Sequence, residues 1–373
     1  MSARLYFGTR KGLFIAEKQE GRWQLSGRHF LGTQIPMLLP HSRTGTVFAA
    51  ADEGHFGSKL YALRAGSTDW ELLATPAWPA KPEGVPDVCD SIRGTPVPWS
   101  LEKIWSLEAG GVDEPGVLWC GTIPGGLFRS VDDGVSWELV RSLWDRPERG
   151  KWFGGGYDYP GIHSICVDPR DSSHVLVGIS CGGVWRTRDA GATWDMAATG
   201  LRAVYLPPGQ EFDPVSQDPH RMVQCPAAPD HLWIQHHNGI FRSTDGAESW
   251  QEIATALPTN FGFAVAVDPA DPERAWFAPA MADEKRFPED GQLVVSRTDD
   301  GGRTFAVHDA GLPGPDAYHL VYRHCLDVDA TGQNLVIGTT TGGVWTSGDA
   351  GATWECLSNN LPPVFCTRFG SVE

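Results

Sequence analysis

The residues in this chain best suited to chemistry are histidines. Three of the twelve, His163, His220 and His237, stand in or beside strand-like runs ("HSICVDP", "HRMVQCP", "IQHHNG"). Imidazoles brought to one point hold a divalent ion such as zinc, manganese, iron or copper, which activates a water or polarises a substrate. Without a metal they serve as hydrogen-bonding or acid–base groups. The second set is acidic. Glycoside hydrolysis commonly uses two carboxylates across the scissile bond, one of them kept protonated as the acid. Glu102 and Glu53 are the candidates, with Asp158 and Glu211 behind them. Lys103 and Arg323 complete the catalytic list, Lys103 being equally a plain ion pair with Glu102. No H-x-x-x-H or C-x-x-C spacing occurs, so any convergence of these groups has to come from the fold.

The elements that position them show in a repeat. The pattern Ser/Thr-x-Asp-x-Gly-x-Ser/Thr-aromatic occurs as "SVDDGVSW", "TRDAGATW", "STDGAESW", "TDDGGRTF" and "SGDAGATW", with Ala247 where glycine is expected and Phe305 in place of Trp. Trp23 and Trp70 mark two more degenerate units, so the series runs Trp23, Trp70, Trp137, Trp194, Trp250, Phe305 and Trp354. Spacings of roughly fifty to seventy residues suit one four-stranded blade per unit. Apolar alternation before each motif marks a strand, Asp-x-Gly is turn chemistry, and the aromatic opens the outer strand. The motif aspartates Asp132, Asp189, Asp245, Asp300 and Asp349 are therefore read as satisfying their own turns rather than binding calcium. The expected fold is all-β, a single seven-bladed β-propeller over residues 1–373. Blade one lacks an inner strand at the N-terminus, and the strand-like "FCTRFGSV" at the C-terminus is expected to close it, which removes the open sheet edges.

These copies resemble the Asp-box, or bacterial neuraminidase repeat (BNR), β-propellers, a group that includes sialidases, xyloglucanases, sortilin-like receptors and a photosystem II assembly factor. The "GTRKGLF" opening looks closest to a bacterial subgroup described as glycosyl-hydrolase-like. The resemblance implies a carbohydrate-active or other small-molecule enzyme, a hydrolase or lyase. The arginine–isoleucine–proline signature of sialidases is missing, so ordinary sialidase activity is not expected. A non-enzymatic scaffold that presents its rim to a partner protein is the reading from a different class.

In such a ring the starts of the innermost strands and the loops between the second and third strands share one mouth. Placed there are Glu102, Lys103, His163, His220, Tyr318, His319 and Arg323 from inner strands. Glu53, His55, Cys181, His236, His237, Asn238 and the insertion "MADEKRFPEDG" come from loops. Long interblade loops carry Trp78, Trp99, Trp144, Trp152, Tyr157, Tyr159, Tyr205 and Phe212, read as an aromatic rim in which Trp152, Tyr157 and Tyr159 join Glu53, His55, His236, Asn238 and His319 as ligand-binding residues. Aromatics that merely pin the loops are the alternative.

Composition narrows the partners. A formal charge of −16 opposes binding to nucleic acid or an anionic membrane, both of which need a clustered positive face. No apolar run approaches a bilayer span, and "MSARLYFGTRKGLFIAEK" reads as strands rather than a signal peptide, so a cytoplasmic protein is expected. The eight cysteines read as free thiols. The expected partner is a saccharide or other small molecule.

Overall fold

The computed structural model describes residues 3–371. They form seven four-stranded antiparallel sheets, and the first contains the C-terminal strand Val364–Ser371 beside the N-terminal strand Ala3–Thr9. The innermost strands are Val364–Ser371, Gln34–His41, Lys103–Ala109, Gly161–Val167, Pro219–Gln224, Gly262–Val267 and Leu326–Val328. Each packs against the next, and the last packs against the first, so the ring is closed.

Sequence places the hairpins through side-chain hydrogen bonds. In the "TRDAGATW" copy the Thr187 hydroxyl donates to Asp189 Oδ1 (2.7 Å) and accepts the Gly191 N–H (2.9 Å), while Asp189 accepts the Thr193 N–H (2.8 Å) and hydroxyl (2.6 Å). The other four copies repeat this pattern around Asp132, Asp245, Asp300 and Asp349. All five carboxylates are spent on their own turns, as their sequence context indicates. Two successive left-handed residues, here Ala190 (φ 53°) and Gly191 (φ 92°), make the turn tight, and each of the other four copies has such a pair. In two copies the following aromatic reaches back to the preceding blade: Trp250 Nε1 donates to the Ala197 carbonyl (2.8 Å) and Trp137 Nε1 to that of Ala74 (3.1 Å). Between blades the core is tryptophan-rich, with Trp119, Trp185, Trp233 and Trp276 fully buried. Each such side chain removes 150–250 Å² of surface from water, so buried ring area holds the sheets face to face, with bonds such as Trp276 Nε1 to the Ala350 carbonyl (2.9 Å) fixing the rings.

These turns carry a pH dependence. Hydrogen bonds from Thr193 hold Asp189 down at about 2, and those from Thr304 do the same for Asp300. The folded carboxyls titrate below the unfolded ones, so their stabilisation is complete above about pH 4 and is lost as pH falls through about 2. The melting temperature of the double variant D189N/D300N, followed by circular dichroism, is expected to be lower at neutral pH. It should also fall less steeply between those limits than that of the parent. An unchanged slope would remove these turns from the acid response.

One irregularity recurs at a single level in the ring. In the innermost strands the pairing slips by one residue at Phe365, at Ile35–Pro36, and at Trp105, His163, His220 and Phe263. Each slip is a β-bulge, which leaves a residue out of the ladder and re-aims it. In blade seven the strand expected from His319 onward forms only over Leu326–Val328, and His324 makes an isolated bridge to Cys366. The long loops before blades three, four and five lie against one another: Asp90 accepts the Ile92 and Arg93 N–H groups in its own loop and, at 2.7 Å, that of Gly154 in the next. No helix among the described residues is long and apolar enough to cross a membrane.

Candidate functional site

Blade five builds the centre of the site almost alone. Asp218 precedes Pro219, which favours an extended backbone there, and the chain then enters the innermost strand with His220 on its bulge. The partner strand Leu232–His236 ends opposite Pro219, and the His237 N–H closes on the Asp218 carbonyl at 3.0 Å. The three side chains meet: Asp218 Oδ2 lies 3.4 Å from His220 Nε2 and 3.4 Å from His237 Nδ1. Their donor atoms all lie within 4.8 Å of one another.

Each member is held from behind. Asp218 Oδ1 accepts the Ser180 hydroxyl and the Cys181 N–H, both at 3.1 Å. His220 Nδ1 lies 2.7 Å from the Gly262 carbonyl and must carry the proton there, which leaves the Nε2 lone pair facing Asp218. Its ring stacks on Phe263, with centroids 4.6 Å apart. The His237 ring meets the edges of Tyr205 (5.1 Å) and Phe261 (5.9 Å), and the Tyr205 hydroxyl is tied to the Ser216 carbonyl. Burial works against ionisation of Asp218, but the contact with His237 and the nearby Arg323 charge act the other way, and the carboxyl is held well below its ordinary range. Burial likewise lowers His220, whereas for His237 the Asp218 contact overcomes burial and raises it.

The trio faces a cavity of about 290 Å³ whose walls include Phe153, Cys181, Tyr205, Phe263, Asp283, Glu284, Arg286 and Arg323. The roof is the glycine run before blade four, where the backbone passes too close for side chains: a Cβ on Gly155 would stand 2.6 Å from Cys181 Sγ. The insertion at 281–291 supplies one lip, as its place in the sequence suggests. A second cavity of about 120 Å³ adjoins it and shares Gly156, Arg286 and Arg323. There Lys103 and Tyr157 meet, with the ammonium 5.3 Å from the ring centroid.

Of the residues singled out in the sequence, His220, His237, Lys103, Tyr157 and Arg323 are thus brought to these cavities, and several others are not. His163 does not join the other two histidines. It is buried against Trp105 with Nδ1 on Ser164, burial keeps it neutral, and Asp218 takes its place in the trio. His236 lies under the site with backbone N–H groups of Asp218 and Asn238 at both ring nitrogens, and burial lowers it to about 3. Asn238 is spent on the Val204 N–H. Trp152 is 2% exposed and packs on Trp185, so it pins its loop and stacks on no ligand. Trp78, Trp99 and Trp144 pack on one another in the same pinning role. Glu53 accepts the Tyr61 hydroxyl (2.7 Å), Glu102 is exposed on the rim, and neither carboxylate lines a cavity. His55 stacks on Phe56 in solvent, and His319 is held by Thr341 and Trp345 in blade seven. Tyr159 is half-buried and lines neither cavity.

Asp218 itself, Trp105 and Phe263 line the candidate site and were not singled out in the sequence. Asp-Pro pairs at 168–169 and 268–269 sit in the turns that end innermost strands, and the pair at 218–219 looks the same while standing at the opposite end.

No family model matches the chain. It is similar to the oligoxyloglucan-reducing end-specific xyloglucanase of Emericella nidulans, 26% identical over 222 residues, which cover 54% of this chain and 26% of that protein. It is also similar to the xyloglucanase of Hypocrea jecorina, 22% identical over 183 residues, 45% of this chain and 21% of that one. The chain therefore spans about a fifth to a quarter of the length of the curated relatives it matches. Among solved structures, a putative 6-phosphogluconolactonase from Bacteroides uniformis superposes with a TM-score of 0.59 at 12% identity, covering 99% of both chains. An ancestral GH74 enzyme superposes at 0.57 and 15% identity, over 91% of this chain and 38% of that one. At these identities the shared property is the propeller fold.

Proposed function

We propose that this chain is a metal-dependent, glycosyl-hydrolase-like enzyme of the Asp-box propeller group, acting on a saccharide or related polar small molecule at Asp218, His220 and His237. The observation that carries this reading is the spacing of the trio. A 3.4 Å separation is long for a hydrogen bond, yet two donors each about 2.1 Å from one tetrahedral ion stand roughly 3.4 Å apart. Two imidazoles with one carboxylate also form a donor set suited to zinc, iron or manganese, with coordination positions left for substrate and water. The Gly262 carbonyl behind His220 and the Ser180 and Cys181 donors behind Asp218 are the outer partners that orient such ligands.

A divalent ion held there supplies a Lewis acid for a substrate oxygen, or a bound water of lowered pKa. Tyr205, Phe261 and Phe263 keep the imidazole rings in place, and Phe153, Gly155 and Gly156 wall one side of the cavity. Similarity to xyloglucanases and the aromatic cavity walls support a sugar as the ligand. The motif aspartates, all engaged in their own turns, fit the Asp-box group and take no part in the chemistry.

The test is elemental analysis of protein purified without added metal or chelator, with thermal shifts on adding zinc, manganese or ferrous iron. About one divalent ion per chain, lost in H237A, is the expected result. A metal-free parent whose melting temperature does not respond to any of the three ions would overturn the reading.

A further inference from the structure

The smaller cavity, next to the trio, is unlike the rest of the surface. The chain carries a net charge of −16, yet the walls of this cavity hold three cations, Lys103, Arg286 and Arg323, and no carboxylate. Arg286 is neutralised by Asp283 at 2.6 Å, and Lys103 has only a long contact to Asp52 at 3.8 Å. Arg323 makes no ion pair within 4 Å among the described residues, and the Asp218 charge acts on it only from farther away. It is 6% exposed, and its Nε and Nη2 find no hydrogen-bond acceptor.

A buried guanidinium without an acceptor is costly, and each orphaned charged donor forfeits a bond that water would otherwise supply. Here the two unpartnered atoms form one edge of the guanidinium, the edge that donates to two oxygens of a carboxylate or phosphate side by side. The guanidinium carbon lies 5.0 Å from the Trp105 ring centroid and 5.4 Å from that of Phe263, which hold the group in place, and both unpartnered nitrogens are buried. A side chain at Gly156 would stand 2.9 Å from Nη2. His324 lines the same cavity with both ring nitrogens unpartnered. Asp218, the carboxylate of the adjoining trio, has Oδ1 occupied by Ser180 and Cys181 and Oδ2 facing the imidazoles.

We infer that this cavity is an anion-binding subsite and that the substrate is an acidic sugar, its carboxylate or phosphate bound edge-on by Arg323 and its ring against Trp105, Tyr322 and Phe365. The inference deepens the saccharide reading above and names its substrate class. With the acid group on Arg323, the sugar extends past Gly156 toward the trio.

Isothermal titration of the intact protein with glucuronate, gluconate, glucose 6-phosphate and inorganic phosphate, with glucose as the neutral control, tests this. Saturable binding of at least one acidic sugar is expected, with glucose at least about tenfold weaker, as a charge-assisted bidentate contact implies. The better of the carboxylates and the phosphate identifies the acid group. R323M should weaken that ligand about thirtyfold or more and R323K by less, because lysine keeps the charge without the fork. K103M, on the open side of the cavity, should weaken it by a smaller factor and covers the case in which R323M does not fold. Repeating the titration after chelation separates the two sites. Affinity that survives chelation and falls in R323M or K103M supports the subsite whatever becomes of the metal. Binding of none of the anions up to millimolar concentration, equal binding of glucose, or binding that chelation abolishes and both substitutions leave intact overturns it.

Discussion

A chain stopped after Leu361 does not assemble the native ring. The strand Val364–Ser371 pairs along the whole of Ala3–Thr9 and is the innermost strand of blade one. Val364, Cys366 and Thr367 are fully buried in it, Phe369 N–H donates to Asp327 Oδ2 at 2.8 Å, and Arg368 donates to the His324 carbonyl at 3.2 Å. Its removal exposes the edge of Ala3–Thr9, opens the clusters that contain Leu5 and Phe7, and separates blade one from blade seven. Burial of the apolar side chains and loss of the ladder together amount to more than about 5 kcal/mol, as large as the whole stability of many domains. Insoluble expression, or a soluble product with no cooperative melt and an expanded radius on gel filtration, is the expected outcome. A soluble truncation that melts with the parent would show that the ring does not depend on this closure.

Asp218 gives the second large effect, and two substitutions divide it. D218A leaves the largely buried Ser180 hydroxyl, Cys181 N–H and His220, together with His237, without their common partner. Breaking a buried polar cluster from one side costs about 3–5 kcal/mol, and the donor set for the ion is lost with it. D218N keeps an oxygen for Ser180 and Cys181 but removes the anionic donor. Urea denaturation should place D218N much nearer the parent than D218A, while elemental analysis finds the ion missing from both. Full metal content in D218N would remove the carboxylate from the ligand set. Equal stability of the two variants would assign the cost to lost charge rather than to unmet donors.

The architecture was readable because its signals are local. An Asp-x-Gly turn satisfies its own backbone within four residues, so each copy declares a hairpin wherever it occurs, and a missing first inner strand predicts a terminal one to complete it. The site was half readable for the same reason. Lys103, His220 and His237 could be found because they open inner strands or follow second strands, and Arg323 because it stands just before one. Their selection from among His163, His236, Glu53 and Glu102 could not, because the bulge that turns His220 outward also occurs at His163, where Trp105 and Ser164 enclose the ring. Trp152 and Tyr157 belong to one loop with similar composition, yet one lies in the core and the other at the cavity. That difference is decided by packing against Trp185, more than thirty residues away in sequence.

The slipped residue in six of the innermost strands carries a consequence for how such a molecule diversifies. A position outside the ladder owes nothing to strand propensity or to pairing, and even proline is accepted there, as Pro36 shows, because no N–H is demanded of it. A change at Phe365, Pro36, Trp105, His163, His220 or Phe263 therefore breaks no ladder bond, and its cost is set by packing alone. Descendants of one ancestor would then differ in what they hold at the axis long before they differ in shape, and a library varied at these places alone should yield folded proteins with new ligands.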